Sequence, residues 1–192
     1  FTYVDASRIH LVFDRMIEIV VQDTGFSPDR TQIVATAFDS QPDSSQMILQ
    51  QLKSRLQKYE WHSAKLVNQV GKSLSLMKTH PNVVLIDEFA GTGNTIINRV
   101  NYLTNSANND ILANNSLNIY VVLAFAMEEA IKKMISGGIR VSASAVLKAA
   151  ISGQASPESV DEERRIMLQL ESYLNQNVEG HRRPFPSFGF GG

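Results

Sequence analysis

Apolar residues recur along the chain with two different spacings, and these spacings predict helices and strands in alternation. Residues 5–22 carry apolar side chains three and four positions apart, which is typical of an amphipathic helix. Short unbroken apolar runs bounded by turn residues predict buried strands, and the clearest is residues 83–86, introduced by Pro81. Residues 60–81 mix helical spacing with Ser, Lys and Gly, so their pattern leaves the local structure open.

The predicted elements alternate along most of the chain. Strands are predicted at residues 32–38, 82–86, 118–126 and 139–146, and helices at 5–22, 46–59, 95–103, 127–136 and 156–175. Strands separated by helices pair in parallel, so the predicted fold class is α/β, a mainly parallel twisted sheet flanked by helices. We expect an N-terminal helix over 1–30 that serves as a hood or docking element. An α/β core would cover 31–155, and a helix and tail, expected to be incomplete, would cover 156–192.

Composition and charge remove several function classes. The 192 residues include no Cys, which excludes disulfides, a thiol nucleophile and thiolate metal sites. With 18 basic and 19 acidic residues, the net charge of −1 does not by itself indicate nucleic acid or membrane. No apolar run approaches the ~20 residues of a membrane span. We expect a cytoplasmic protein and, because the chain runs from Phe1 to Gly192, a piece of something longer.

One stretch of thirteen residues, 83–95, joins a strand, two acids and a glycine-threonine turn. Asp87 and Glu88 follow the apolar run, at the carboxyl edge of the sheet where α/β proteins bind ligands. Gly91 and Gly93 would let backbone amides approach an anion, and the start of the next helix would add its own N–H groups. Acids beside an anion site suit a ligand with both diol hydroxyls and a phosphate, such as a ribose 5-phosphate.

This arrangement resembles the phosphoribosyl pyrophosphate (PRPP) motif of type I phosphoribosyltransferases, and in particular the divergent phosphoribosyltransferase-like domains of bacterial conflict and defence systems. The resemblance implies that Asp87 and Glu88 are the catalytic acids, facing the ribose hydroxyls directly or through Mg²⁺, which the same two residues would bind. It also implies a 5-phosphate loop made of Ala90, Gly91, Thr92, Gly93, Asn94 and Thr95.

Two further loops are implied by the same resemblance. The pyrophosphate loop would follow the predicted strand 32–38 and consist of Ser40, Gln41, Asp43, Ser44 and Ser45. This loop contains no Lys or Arg. Lys72, beside Gly71, would be the basic residue of a mobile loop that precedes the motif strand. Gly91 stands where the purine-salvage branch of the family has an aspartate, so no general base for a purine is present there.

Two classes of function remain open from the sequence. The first is a pentosyltransferase that binds PRPP and Mg²⁺ and transfers phosphoribose to an unknown acceptor, releasing pyrophosphate, in a bacterial antiviral defence system. The second is a catalytically inactive PRPP- or nucleotide-sensing or assembly module of a defence or regulatory complex, which the missing base and the non-basic loop favour. A protein partner or a homo-oligomer is expected in either case. Residues 182–190 combine Arg with aromatic rings, which keeps nucleic acid open as a partner.

The motif has two other interpretations. Residues 84–88 also resemble a Walker B strand, and Gly71-Lys72-Ser73 resembles the end of a P-loop. A P-loop requires a glycine five residues before Gly71, where this chain has Leu66, so we reject an ATPase. The remaining alternative is a solvated strand end with an ordinary turn. A lone Gly-Thr-Gly would not exclude it, but the whole thirteen-residue context favours a ligand site.

Overall fold

The computed structural model describes residues 6–39, 41, 43–107, 117–149, 157–173, 177–178 and 181–182. The strands of its main sheet are β1 (Thr31–Ala35), β2 (Lys65–Val67), β3 (Asn82–Ala90), β4 (Asn118–Met127) and β5 (Arg140–Leu147). The helices are α1 (Ala6–Glu18), α2 (Ser44–Lys58), α3 (Val70–Ser73), α4 (Asn94–Ser106), α5 (Glu128–Ser136) and α6 (Pro157–Glu171). Two short strands, β6 (Asn177–Val178) and β7 (His181–Arg182), pair separately as an antiparallel hairpin.

The main sheet has five strands in the order β2-β1-β3-β4-β5, and every neighbouring pair is parallel. This confirms the predicted α/β class. From β1 the chain moves outward to β2 and then returns to place β3 on the other side of β1. The loops after β1 and β3 therefore leave the sheet at the point where the strand order reverses. In open α/β sheets this point, at the carboxyl ends of the strands, is where ligands bind.

Each face of the sheet is covered by helices, so the central strands are apolar on both sides. On one face α1 and α2 bury Met16, Ile17 and Leu52 against Val84, Ile86 and Val122. On the other face α4 and α5 bury Ile96, Leu103 and Met134 against Leu85, Val121 and Leu123. Burying each such side chain contributes about 1.5–3 kcal/mol. The two packed layers hold β1 and β3 rigidly, and with them the start of each loop.

The observed strands differ from the predicted ones most clearly at β2, at the end of β1 and at the end of β3. Strand β2 was not predicted, because it is a three-residue edge strand with Lys65 and Leu66 exposed and so shows no buried run. Strand β1 ends at Ala35 rather than at residue 38. Strand β3 continues to Ala90, whereas the predicted strand stopped before the acids. The cause is continued pairing with β4, in which Phe89 lies opposite Phe125.

The segments outside the central sheet complete the description. Helix α1 packs on the sheet through Phe13 and Met16, and the hood or docking role expected for residues 1–30 stays a prediction. Helix α6 confirms the predicted last helix, although it ends at Glu171. Residues 183–190 of the basic-aromatic tail lie outside the described residues. In the part of the chain that the structure describes, no helix has the length and apolarity to cross a bilayer.

Candidate functional site

The carboxyl ends of β1 and β3 are joined by a hydrogen-bonded carboxylate. Ala35 lies opposite Ile86, and the Thr36 N–H donates to the Ile86 carbonyl at 3.3 Å, one residue beyond β1. The Thr36 hydroxyl then donates to Asp87 Oδ2 at 2.6 Å. The backbone N–H of Glu88 donates to Asp87 Oδ1 at 2.7 Å. Both oxygens of Asp87 are therefore held, and the carboxylate has a fixed position between the two loops.

Burial raises the pKa of Asp87 above its ordinary value, because desolvation penalises the charged form. The hydrogen bonds from Thr36 and from the Glu88 N–H oppose this rise, while the nearby carboxylates of Asp43 and Glu88 add to it. A partly buried carboxylate with a raised pKa, at the switch point of an α/β sheet, is a functional-site candidate on physical grounds. Hydroxyl donors or a cation from a ligand would relieve its unfavourable charge.

Glu88, the second predicted acid, has a different environment from that of Asp87. Both acids were expected beyond the strand end, but both belong to β3, where successive side chains leave on opposite faces. Asp87 is partly buried and accepts a hydrogen bond from Thr36, whereas Glu88 is exposed. The structure thus brings Asp87 to the loop after β1, and the ligand-binding role of Glu88 stays a prediction.

The loop after β3 makes a tight turn immediately before α4. Gly93 precedes the helix with φ +76°, a left-handed conformation that favours glycine. A Cβ at this position would lie 3.3 Å from the Ala130 carbonyl oxygen and 3.4 Å from Met134 Cγ. The Asn94 N–H donates to Thr92 Oγ1 at 3.4 Å, and Ile97 N–H donates to the Gly93 carbonyl at 3.0 Å. The helix begins at Asn94, one residue before the predicted start.

The first turn of α4, together with the turn before it, has the features of an anion-binding site. The N–H groups in the first turn of a helix have no acceptor within the helix, and the helix dipole adds positive charge there. Thr92, Asn94 and Thr95 are exposed at this end, while Ile96 is buried and anchors α4 to the sheet. The structure therefore brings the predicted 5-phosphate residues together around the start of α4, although Ala90 is buried as the last residue of β3.

The loop after β1 is closed by its own polar side chains. Asp43 caps α2, since its Oδ1 accepts the Ser45 N–H at 2.8 Å and also the Ser45 hydroxyl. Ser45 Oγ in turn accepts the Ala37 N–H at 3.1 Å. Asp43 and Ser45, two predicted pyrophosphate contacts, therefore hold the loop in shape.

The remaining predicted pyrophosphate residues are exposed where they are described. Gln41 donates its N–H to Asp39 Oδ1 at 2.9 Å, and Ser44 begins α2 at the surface. Ser40 lies outside the described residues.

Lys72 was expected in a loop, and this local prediction is wrong. It lies in the one-turn helix α3, and its Nζ donates to Asn68 Oδ1 at 3.1 Å. The segment that carries it is tied to the loop after β1, because Val70 N–H donates to the Ala37 carbonyl at 2.9 Å. Lys72 is therefore close to the loop after β1 in the fold. Its role as the basic residue of a mobile loop stays a prediction.

Two cationic side chains near the loops were not identified from the sequence. Arg99 on α4 donates from Nε to the Thr36 carbonyl at 3.0 Å, and its guanidinium lies 4.6 Å from the centroid of the Phe38 ring. Lys133 on α5 donates from Nζ to Asn94 Oδ1 at 2.6 Å. Neither belongs to a local motif, and the only signal for them is the order of strands that brings α4 and α5 to these loops.

The carboxylates at this edge fit Mg²⁺ that arrives with a ligand. In the described residues no cluster of three or more His, Cys, Asp or Glu forms a metal cage. Mg²⁺ commonly keeps several waters and binds one or two carboxylates together with substrate phosphates. Asp87 accepts two hydrogen bonds out of about four lone-pair sites, so it retains acceptor capacity.

Comparison with known proteins covers almost the whole chain. Residues 1–184 match the family model described as PRTase-CE. No curated protein matches the chain. Among solved structures, the chain is similar to orotate phosphoribosyltransferase from Aeropyrum pernix, with 17% identity and a TM-score of 0.43 over 84% of this chain and 78% of that one. The family match includes both loops at the switch point, and the chain belongs to the phosphoribosyltransferase-like family PRTase-CE.

Proposed function

We propose that this protein binds PRPP or a related ribose phosphate together with Mg²⁺, and transfers phosphoribose to an acceptor with release of pyrophosphate. The observation that carries the proposal is the hydrogen bond from Thr36 to Asp87, which joins the loops after β1 and β3. PRPP has a phosphate at C5 and a pyrophosphate at C1. A ligand with two anionic ends and a diol between them matches two loops with a carboxylate between them.

Each part of the ligand has a proposed place. The 5-phosphate would bind at residues 91–95, because the first-turn N–H groups of α4 have no acceptor within the helix and the helix dipole is favourable there. The ribose hydroxyls would donate to Asp87, whose burial makes such donors favourable. The pyrophosphate would lie at the loop after β1, with Mg²⁺ held by Asp87 and, as the sequence resemblance implies, by Glu88. Mg²⁺, when bound, supplies positive charge to the leaving group.

The proposed reaction needs little chemical participation from reactive side chains. A nucleophilic atom of the acceptor forms a bond to C1 of the ribose while the bond from C1 to the pyrophosphate oxygen breaks, and the electron pair leaves with pyrophosphate. Such a displacement depends on positioning and on stabilisation of charge. A carboxylate fixed by Thr36 and by the Glu88 N–H supplies positioning at the ribose.

The direct test is the affinity for PRPP with Mg²⁺, measured by calorimetry. We expect the double variant Asp87→Asn/Glu88→Gln to lose at least about tenfold in affinity, since charged hydrogen bonds are worth about 1.5–3 kcal/mol each. Glu163→Gln is the matched control, because Glu163 is an exposed carboxylate of α6. Unchanged affinity in the double variant would contradict the ribose contacts.

A second candidate function is binding without catalysis, as a PRPP- or nucleotide-sensing module. It is favoured by the described part of the loop after β1, which carries Asp39 and Asp43 but no Lys or Arg, and by Gly91, which offers no base. An assay of pyrophosphate release separates the two. Release that the Asp87 variant abolishes supports an enzyme, and tight binding without release supports a sensor. The role in bacterial defence rests on the sequence resemblance, and a cytoplasmic setting and a protein partner or homo-oligomer are further parts of the proposal.

A further inference from the structure

The proposed pyrophosphate end of the site lacks a local source of positive charge. The loop after β1 contributes Asp39 and Asp43, and Asp87 and Glu88 add two more carboxylates beside it. A pyrophosphate placed there would meet like charges, which disfavours binding unless cations from elsewhere offset them. Besides Lys72, whose Nζ donates to Asn68, the fold brings two such cations to the edge, one on α4 and one on α5.

Arg99 reaches the loop after β1 from α4. Its Nε donates to the carbonyl of Thr36, the residue whose hydroxyl holds Asp87, so Arg99 is two contacts away from the carboxylate. Its guanidinium lies over the half-exposed ring of Phe38, which Tyr102 supports edge-on at 5.2 Å. These contacts fix the plane of the guanidinium.

The charge of Arg99 remains unpaired among the described residues. No described carboxylate lies within ion-pair distance of it, and only its Nε has an acceptor among them. A guanidinium has five donors in a rigid fork that matches phosphate oxygens, so Nη1 and Nη2 are left for a ligand. Arg99 thus supplies to this loop the cation that its own sequence does not contain.

Lys133 reaches the start of α4 from α5. Its Nζ donates to Asn94 Oδ1, at the first residue of the helix whose N–H groups form the proposed 5-phosphate site. The neighbouring Lys132 shows the contrast, because it pairs with Glu128 and Glu129 at 3.0 Å each. Within the described residues Lys133 has no acidic partner. Its ammonium is therefore a point charge beside the phosphate position.

We infer that Arg99 and Lys133 are specificity-determining residues that divide the ligand between them, Arg99 binding the pyrophosphate and Lys133 the 5-phosphate. This inference rests on the proposed function. Among the described residues, the Arg99 side chain donates to the loop after β1 and the Lys133 side chain donates to the start of α4. Because the two cations serve different loops, removing one should weaken one end of the ligand and leave the other end unchanged.

The test uses the two ends of the ligand as separate probes. Calorimetry would measure the affinity of the full chain for inorganic pyrophosphate with Mg²⁺ and, separately, for ribose 5-phosphate. We expect Arg99→Gln to weaken pyrophosphate at least about tenfold and to leave ribose 5-phosphate unchanged. We expect Lys133→Gln to do the reverse, with a loss of at least about fivefold for ribose 5-phosphate.

Conservative and matched variants separate charge from folding. Lys133→Arg should keep the affinity for ribose 5-phosphate, and Arg99→Lys should lose less affinity for pyrophosphate than Arg99→Gln, since each keeps the charge. An Arg99→Lys variant as weak as Arg99→Gln would reduce Arg99 to a support of the loop and overturn its proposed role. Lys132→Gln on α5 and Arg165→Gln on α6, where Arg165 pairs with Glu162, are controls that should leave both affinities unchanged.

The outcomes distinguish this inference from the proposed function. If the unaltered chain binds neither probe, both the proposed function and the inference are wrong. If it binds both probes but each variant changes both affinities alike, or changes neither, the proposed function stands and the division of labour is overturned. Selective loss at opposite ends in the two variants is the result that supports the inference.

Discussion

The two loops at the carboxyl edge of the sheet are built in different ways. In the loop after β3, Gly93 sets the turn and Asn94 begins the helix, so the residues of the candidate site are neighbours in sequence. The loop after β1 also has local hydrogen bonds, from Ala37 to Ser45 and from Ser45 to Asp43. Its contacts with the rest of the candidate site, however, come from residues distant in sequence, since Asp87 accepts from Thr36 and Arg99 donates to the same residue, 51 and 63 positions away. The first loop is therefore visible as a motif, and the second becomes a site only when β1, β3 and α4 are assembled.

This difference predicts how substitutions in each loop affect the stability of the protein. A change within the loop after β3 alters a turn that packs directly on α5, so stability should suffer most there. The loop after β1 is held by several separate hydrogen bonds, and the loss of one leaves the others in place. Substitutions at Gly93, Asp43 and Asp87 test this difference, and their expected effects on stability decrease in that order.

Gly93→Ala should destabilise the protein most, by about 2–3 kcal/mol, because a left-handed residue gains a side chain that crowds the Ala130 carbonyl of α5. The control is Gly138→Ala, at φ +78° with nothing within 4 Å of the added Cβ, which should cost about 1–2 kcal/mol. Denaturant unfolding measures both. Equal losses would mean that the close approach of the loop to α5 contributes nothing.

Asp43→Ala should cost about 1 kcal/mol, because α2 loses its N-terminal cap and the loop after β1 loses the acceptor that holds Ser45. Asp43→Asn is the matched control and should retain most of the stability, since Asn is an equally good cap. The measurement is again the free energy of unfolding. If both variants lost stability equally, charge rather than capping would be the contribution of Asp43.

Asp87→Asn should have the smallest effect on the unliganded protein, a slight increase in stability at neutral pH. The pKa of Asp87 is higher in the folded than in the unfolded chain, so its ionised form costs folding free energy above the folded pKa. This cost is relieved as the pH falls through the folded pKa, and the advantage of the variant should shrink there. Thermal midpoints across a pH series check the sign, and an advantage that grew with acidity would contradict it.

The sequence predicted the parallel sheet and the loop after β3 because their signals are local. Residues 83–86 form an unbroken apolar run, and the Gly-Thr-Gly turn has its own geometry. Strand β2 escaped prediction because pairing with β1, rather than burial of its own side chains, makes it a strand. Asp87 and Glu88 were placed past the strand because local pattern does not reveal how far pairing with β4 continues. Arg99 and Lys133 could be assigned only from the three-dimensional arrangement.

If one ligand bridges both loops, backbone amide NMR during titration with PRPP and Mg²⁺ should detect it in both. We predict shift changes at Gly91, Thr92 and Asn94 in the loop after β3 and, at the same ligand concentrations, at Ala37 and Ser45 in the loop after β1. The amides of Asn82 and Arg140, at the opposite edge of the sheet, should not move. Shift changes confined to one loop, or concentrated at that opposite edge, would rule out a ligand that bridges both loops.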